Sequence, residues 1–192
     1  VLDLSRSNLS GGIPTCLRNF TAMTDRSVIP RQLIRKRKMS AQVTDFNIYD
    51  TTVLLTWKGQ EYLFLNPDYL LESIDLSSND LTGEVPKEVG CLLGLVSLNL
   101  SRNYFSGQIP SDIGNLSSLE FLDLSRHHFS GKIPSTLSKI DRLAVLDLSN
   151  NSLIGRIHWG RQLQTFDASS FEGNLGLCGE LLNKSCPGDE TT

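Results

Sequence analysis

Few side chains in this 192-residue chain could do chemistry, and their spacing narrows what that chemistry is. Cys178 and Cys186 lie close together in the glycine-rich stretch GNLGLCGELLNKSC, where a loop-closing disulfide would staple the end of the chain. Cys16 and Cys91 stand far apart in sequence and are expected as buried free thiols. His127 and His128 are adjacent, but no serine, cysteine or carboxylate constellation surrounds them, so no catalysis is expected. The spacing suits no metal, and no cofactor is implied. A pH-dependent contact is the remaining use of the two histidines. Asn-x-Ser/Thr sequons begin at Asn8, Asn19, Asn99, Asn115, Asn150 and Asn183. Together with a disulfide they favour an extracytoplasmic protein.

What positions these residues is a repeat. LSSN at 76–79 recurs as LSRN at 100–103, LSRH at 124–127 and LSNN at 148–151, always 24 residues on. Leu71, Leu95, Leu119 and Leu143 share the register, as do Ile74, Leu98, Leu122 and Leu146, and Leu81, Phe105, Phe129 and Leu153. An L-x-x-L-x-L-x-x-N-x-L period predicts a leucine-rich-repeat solenoid, with one short strand and a turn per coil and the strands stacked into a parallel sheet on the concave face. Turns and short 3-10 or α segments should form the convex side. Alternation points Leu98 and Leu100 inward and Ser97, Asn99 and Ser101 outward.

Asn79, Asn103 and Asn151 fall where the chain leaves the sheet, and their amides suit buried turn backbone. His127 and Ser7 interrupt that ladder, each expected to keep one hydrogen bond where an amide makes several. Gly83, Gly107, Gly131 and Gly155, with the Val or Ile two residues later, close the outer turn. Asn19 and Asn115, in outer turns, are the expected glycan carriers, whereas a sugar on Asn99 would obstruct the strand face.

The first residues, VLDLSRSNLSGGIP, begin inside a coil, which reads as a fragment lacking its N-terminal coils. The period fails between Phe20 and Leu71. The expected organisation is a partial repeat at 1–20, a non-repeat island at 21–70, four repeats at 71–166, a C-terminal cap at 167–187 and a flexible tail at 188–192. From the end of the fourth repeat into the cap, Leu163, Phe166, Phe171, Leu175 and Leu177 should cover the last coil. Within the island, TTVLLTWKGQEYLFL predicts a hairpin turning near Lys58-Gly59. Trp57 and Tyr62 then lie on its flanks, either packed against the solenoid or offered to a partner. The basic run at Arg31 and Arg35–Lys38 is either a solvated loop or a contact for an acidic partner. A net charge of -3 argues against nucleic acid as the partner. No stretch of about 20 apolar residues is present, and no direct membrane contact is expected.

Two sets of strand-face residues are candidates for recognition. Asp75, Asn99, Asp123 and Asp147 share one register and form an acidic column, either a docking ridge for a basic surface or simply the repeat's own preference. Tyr104, Phe121, Arg126 and His128 stand where the repeat dictates nothing, and aromatic and arginine side chains anchor interfaces. Phe121 is expected to be exposed, unless the island folds over it.

LSGGIP, LTWKGQEYLF, ESIDLSSNDLTGEVPKEVGCLLGLVSLNLSRNYFSGQIP and RQLQTFDASSFEGNLGLCGELLNKSC, in that order, resemble the C-terminal ectodomain region of plant extracellular leucine-rich-repeat receptor-like proteins. The resemblance spans nearly the whole chain and is weakest over 21–50. It implies a non-enzymatic glycoprotein module at the apoplastic face of the plasma membrane, its parent a single-pass type I membrane protein. Its implied partners are an extracellular protein or peptide ligand and the ectodomain of a somatic-embryogenesis-type receptor kinase, in defence or development. Alternatives are a secreted inhibitor of microbial cell-wall-degrading enzymes, similar to polygalacturonase-inhibiting proteins, and a truncated non-signalling product.

Overall fold

A computed structural model describes residues 1–24, 53–57, 60–64, 72–157 and 163–189. Two compact units make up the chain, one from Val1–Ser27 with Leu71–Thr192 and one from Val28–Leu70. The first is a leucine-rich-repeat solenoid. Its concave sheet holds β1 (Leu2–Asp3), β5 (Ser73–Asp75), β7 (Ser97–Asn99), β9 (Phe121–Asp123) and β11 (Val145–Asp147), all parallel and in that spatial order. Register is kept at the 24-residue step, pairing Ile74 with Leu98 and Leu98 with Leu122. Leu2 pairs with Ile74, so the sheet runs on uninterrupted across the insertion. The second unit contains an antiparallel pair, β3 (Val53–Trp57) and β4 (Gln60–Phe64), with Trp57 opposite Gln60. This is the expected hairpin, although Lys58-Gly59 itself, the side-chain packing of Trp57 and Tyr62, and the basic run lie outside the described residues.

A second parallel sheet, which the one-strand-per-coil reading omits, lines the flank: β2 (Ser10–Gly11), β6 (Asp80–Glu84), β8 (Tyr104–Gln108), β10 (His128–Gly131), β12 (Ser152–Arg156) and β13 (Gly176–Cys178). Its strands alternate exposed and buried residues around Leu81, Phe105, Phe129 and Leu153, so each coil contributes two strands to one core. The convex side is built from 3-10 helices at Thr15–Asn19, Lys87–Cys91, Ser111–Asn115 and Ser135–Lys139, each entered from a proline. These turns pack tightly because glycine allows it. A Cβ on Gly90 would come within 2.3 Å of the Asp112 carbonyl oxygen, and one on Gly114 within 2.4 Å of Thr136.

Leu98, Leu100, Leu122 and Leu124 are buried in a single column with the flank-strand aromatics. Full burial of each leucine is worth about 1.5–3 kcal/mol. The column alone leaves the turn backbone dry, and the asparagine ladder satisfies it. Asn103 Oδ1 accepts from the Leu81 N–H at 3.1 Å, while its Nδ2 donates to the carbonyls of Leu76 (2.9 Å), Leu100 (2.8 Å) and Ser101 (3.3 Å). Asn79 and Asn151 repeat the arrangement. One amide therefore stitches two coils together.

The cap extends this ladder. Asn174 accepts from the Leu153 N–H at 3.0 Å and donates to the Leu148 and Phe171 carbonyls. Leu163, Phe166, Phe171 and Leu177 are buried, and Cys178 is disulfide-bonded to Cys186. Leu175 departs from expectation: it is 88% exposed, because it takes the outward position between buried Asn174 and the β13 strand.

His127 also departs from expectation. It is 5% exposed, yet neither ring nitrogen has a hydrogen-bond partner. The carbonyls of Asn103 and Leu100 lie near enough to favour a cation electrostatically, but not in bonding geometry. What holds the ring is aromatic contact. Its centroid is 5.3 Å from that of Phe105 and 5.0 Å, edge-on, from that of Phe129. Burial lowers its pKa from 6.5 to about 4, with the nearby His128 adding to the effect.

Two outcomes follow for stability. Asn103→Ala strands one donor and three acceptors and should lower unfolding free energy by about 2–4 kcal/mol in urea titrations. Ser117→Ala, at an exposed turn position, should change it by less than about 0.5 kcal/mol. His127 is neutral in the folded chain and takes a proton in the unfolded one between pH 4 and 6.5. Its contribution to stability is thus complete above about pH 6.5 and declines as pH falls towards 4, by about 2 kcal/mol at pH 5. In thermal melts His127→Asn should be the more stable protein and should lack this component; parallel pH profiles for the two would refute the assignment.

Candidate recognition surface

The concave sheet holds Asp75, Asn99, Asp123 and Asp147 in one register, and most of this column already has work within the fold. At Asp75, Asp123 and Asp147, Oδ1 accepts the N–H two residues on, from Ser77, Ser125 and Ser149, at 2.8–2.9 Å. Asp3 does the same for Ser5. These are Asx turns that end each strand. Asn99 accepts from both the N–H and the hydroxyl of Ser101, and its Nδ2 donates to Asp75 Oδ2 at 3.0 Å. A neutral amide between Asp75 and Asp123 thereby breaks the run of like charge. Burial raises the pKa of Asp123, Asp147 adds to the rise, and the bonds from Ser125 oppose it. Asp123 and Asp147 each keep one oxygen outside the turn, whereas both oxygens of Asp75 are engaged, so the column is a partly engaged ridge.

Beside it, several residues expected to face solvent do not. Phe121 is 8% exposed, and Ser97, Ser101, Ser125 and Ser149 are buried, whereas Ser73 and Val145 at the ends of the Phe121 column are half-buried. Central positions have a neighbouring strand on either side, about 4.8 Å away, and flanking side chains shade them. Phe121 is therefore removed from the set of exposed anchors.

The other three members gather elsewhere. Tyr104 opens β8 and His128 opens β10, both on the flank sheet, where their rings stack with centroids 6.3 Å apart and planes 27° from parallel. Tyr104 is 54% exposed, and His128 is exposed beside it. Arg126 lies two residues before His128, exposed, with φ at +61°. That left-handed conformation recurs once per coil, at Arg6, Ser78, Arg102, Asn150 and Gly173, and in all but Gly173 the N–H donates to a carbonyl of the following coil, as it does at Arg126. Glycine or asparagine takes it more cheaply than arginine. This register was missed from sequence, although Asn150 and Gly173 in equivalent places signal it.

The thiols also differ from expectation. Cys16 and Cys91 are both exposed, because each sits on a 3-10 helix at a position facing away from the core. Of the sequon asparagines, Asn8, Asn19, Asn115, Asn150 and Asn183 are exposed, whereas Asn99 is half-buried and engaged. Among the described residues no group of three His, Cys, Asp or Glu side chains could hold a metal ion, and no helix is long and apolar enough to cross a membrane.

Comparison with known proteins agrees with this architecture. The Leucine Rich Repeat family model matches residues 1–20, 70–92, 94–116 and 118–140. Receptor-like protein EIX2 of Solanum lycopersicum is 56% identical over 183 residues, covering 90% of this chain and 17% of that protein. Receptor-like protein EIX1 of the same species is 67% identical over 141 residues, covering 73% and 14%. The chain thus spans about a sixth of the length of these relatives. Among solved structures, the Arabidopsis receptor kinase HAESA in complex with the peptide hormone IDA and the co-receptor SERK1 is 43% identical, covers 59% of this chain and 19% of that one, and superposes with a TM-score of 0.51. Asparagine-closed coils, proline-led outer turns and these similarities converge, and the chain belongs to the plant extracellular leucine-rich-repeat receptor-like proteins.

Proposed function

We propose that this segment is an extracellular recognition module of a membrane-anchored receptor-like protein, contacting an apoplastic protein or peptide ligand and the ectodomain of a somatic-embryogenesis-type receptor kinase. The reading rests foremost on the stacked Tyr104–His128 pair with Arg126 at its edge. These three side chains are exposed, and no hydrogen bond of the ladder depends on them. A rigid aromatic pair loses little conformational entropy on binding, and an adjacent arginine supplies a directional cation. The carboxylates of Asp75, Asp123 and Asp147, partly engaged within the fold, add a negative strip suited to steering a basic partner. Similarity to HAESA, which holds both a peptide hormone and a co-receptor, supports two partners for a parent of this class. Residues 21–70 and the coils over 71–166 would divide those partners, ligand and co-receptor respectively. In the parent, a single membrane helix beyond these coils would place them outside the cell.

The measurement is surface-immobilised binding of the full 192-residue chain to co-receptor ectodomains at apoplastic pH. A combined Tyr104→Ala, Arg126→Ala, His128→Ala variant should bind at least about tenfold more weakly, about 1.4 kcal/mol, with its melting temperature little changed. Undiminished affinity in that variant would exclude the flank as the contact. Saturable inhibition of a microbial polygalacturonase without co-receptor binding would replace this reading with the inhibitor one.

A further inference from the structure

The convex side carries an arrangement that the recognition reading leaves unused. The 3-10 helices Thr15–Asn19, Lys87–Cys91 and Ser111–Asn115 are consecutive turns of the solenoid, and their last residues are Asn19, Cys91 and Asn115. The exposed Cys91 thiol therefore stands in one column between two exposed asparagines, and both asparagines begin sequons, Asn19-Phe20-Thr21 and Asn115-Leu116-Ser117. The turns are pressed together at this point by Gly90, whose missing Cβ would lie 2.3 Å from the Asp112 carbonyl. Cys91 and Asn115 also line the same shallow hollow, with Thr24, Leu93 and Ser117. A branched sugar on either asparagine would overhang the thiol.

We propose that Asn19 and Asn115 carry N-linked glycans that shield the Cys91 thiol, keeping it reduced and monomeric in an oxidising extracellular setting. Transfer needs a lipid-pyrophosphate-linked oligosaccharide as co-substrate. The asparagine Nδ2 bonds to the sugar's C1, the C1–O bond to pyrophosphate breaks with its electron pair on the departing lipid pyrophosphate, and one Nδ2 proton is released. Neither amide donates a hydrogen bond among the described residues, so the fold loses nothing when Nδ2 is substituted. Asn99 is the contrast. Its Nδ2 already donates to Asp75, and its sugar would stand on the concave sheet, so folded molecules are bare there. An exposed thiol without such a shield is open to oxidation and intermolecular disulfide exchange.

The test uses the full chain secreted from plant cells, with Cys16→Ala introduced so that Cys91 is the sole free thiol. Peptide mapping after glycosidase treatment in heavy-oxygen water should label Asn19 and Asn115 and leave Asn99 unlabelled. A maleimide bearing a bulky polymer should react with Cys91 at least about tenfold faster after the glycans are removed enzymatically from the folded protein, or in Asn19→Gln, Asn115→Gln, and non-reducing gels should then show a Cys91-linked dimer. Unlabelled Asn19 and Asn115, or reaction rates within about twofold with and without sugar, would overturn the proposal. Enzymatic removal keeps the test decisive if the double variant fails to fold.

Discussion

Every other feature of this solenoid depends on how the turn at the end of each concave strand satisfies its backbone. A chain that reverses direction around a hydrocarbon column must bury peptide groups that no sheet partner reaches, and each buried unpaired group costs about 1–3 kcal/mol. A single asparagine per coil, at Asn79, Asn103, Asn151 and Asn174, supplies both an acceptor and two donors from the interior. Its bonds reach its own coil and the preceding one, so coils lock at fixed spacing. His127 shows the limit of that requirement: an aromatic clasp between Phe105 and Phe129 can hold the same position sterically, at the expense of two unpaired ring nitrogens.

This constraint also decides which surface is free. A strand-face carboxylate looks like a binding residue until its Oδ1 is found capping the N–H two residues ahead, as at Asp75, Asp123 and Asp147. At Asp123 and Asp147 only the second oxygen is left to meet a partner, and at Asp75 that oxygen already accepts from Asn99 Nδ2. Positions at the mouth of the flank strands carry no such duty, which is why Tyr104 and His128 can hold rings that the coil does not need. What the scaffold does not use is the surface left open to a partner.

The solenoid was legible because a period in one dimension needs no long-range inference: Ile74, Leu98, Leu122 and Leu146 announce their shared column by spacing alone. The disulfide followed from proximity in a short loop. What spacing could not convey was depth. Phe121 and Ser97 lie on the outward side of their strands by alternation, but strands on both sides shade them, and exposure depends on those neighbours. Cys16 and Cys91 lie in turns where 3-10 winding, rather than strand alternation, determines which way a side chain faces. Asn174 escaped notice because it comes 23 residues after Asn151, although Leu177 returns to 24 after Leu153. The flank sheet was hidden for a related reason: its strands alternate polar and apolar residues through Gly83, Gly107 and Gly131, which read as a turn.

The left-handed register joins these themes. Six coils place one residue at φ between about +50° and +80° just before the ladder position, and in five of them, all but that of Gly173, the conformation aims the N–H at a carbonyl of the next coil. Where glycine or asparagine occupies it, as at Gly173 and Asn150, the turn forms at little cost; arginine there carries a steric penalty of roughly 1 kcal/mol. Arg6, Arg102 and Arg126 bear that penalty on an exposed edge, and their backbone hydrogen bonds would be made equally well by a smaller residue. The scaffold over-determines the turn strongly enough to tolerate them. Of the three, Arg126 lies two residues before His128, so its exposed cation enters the flank next to the Tyr104–His128 stack.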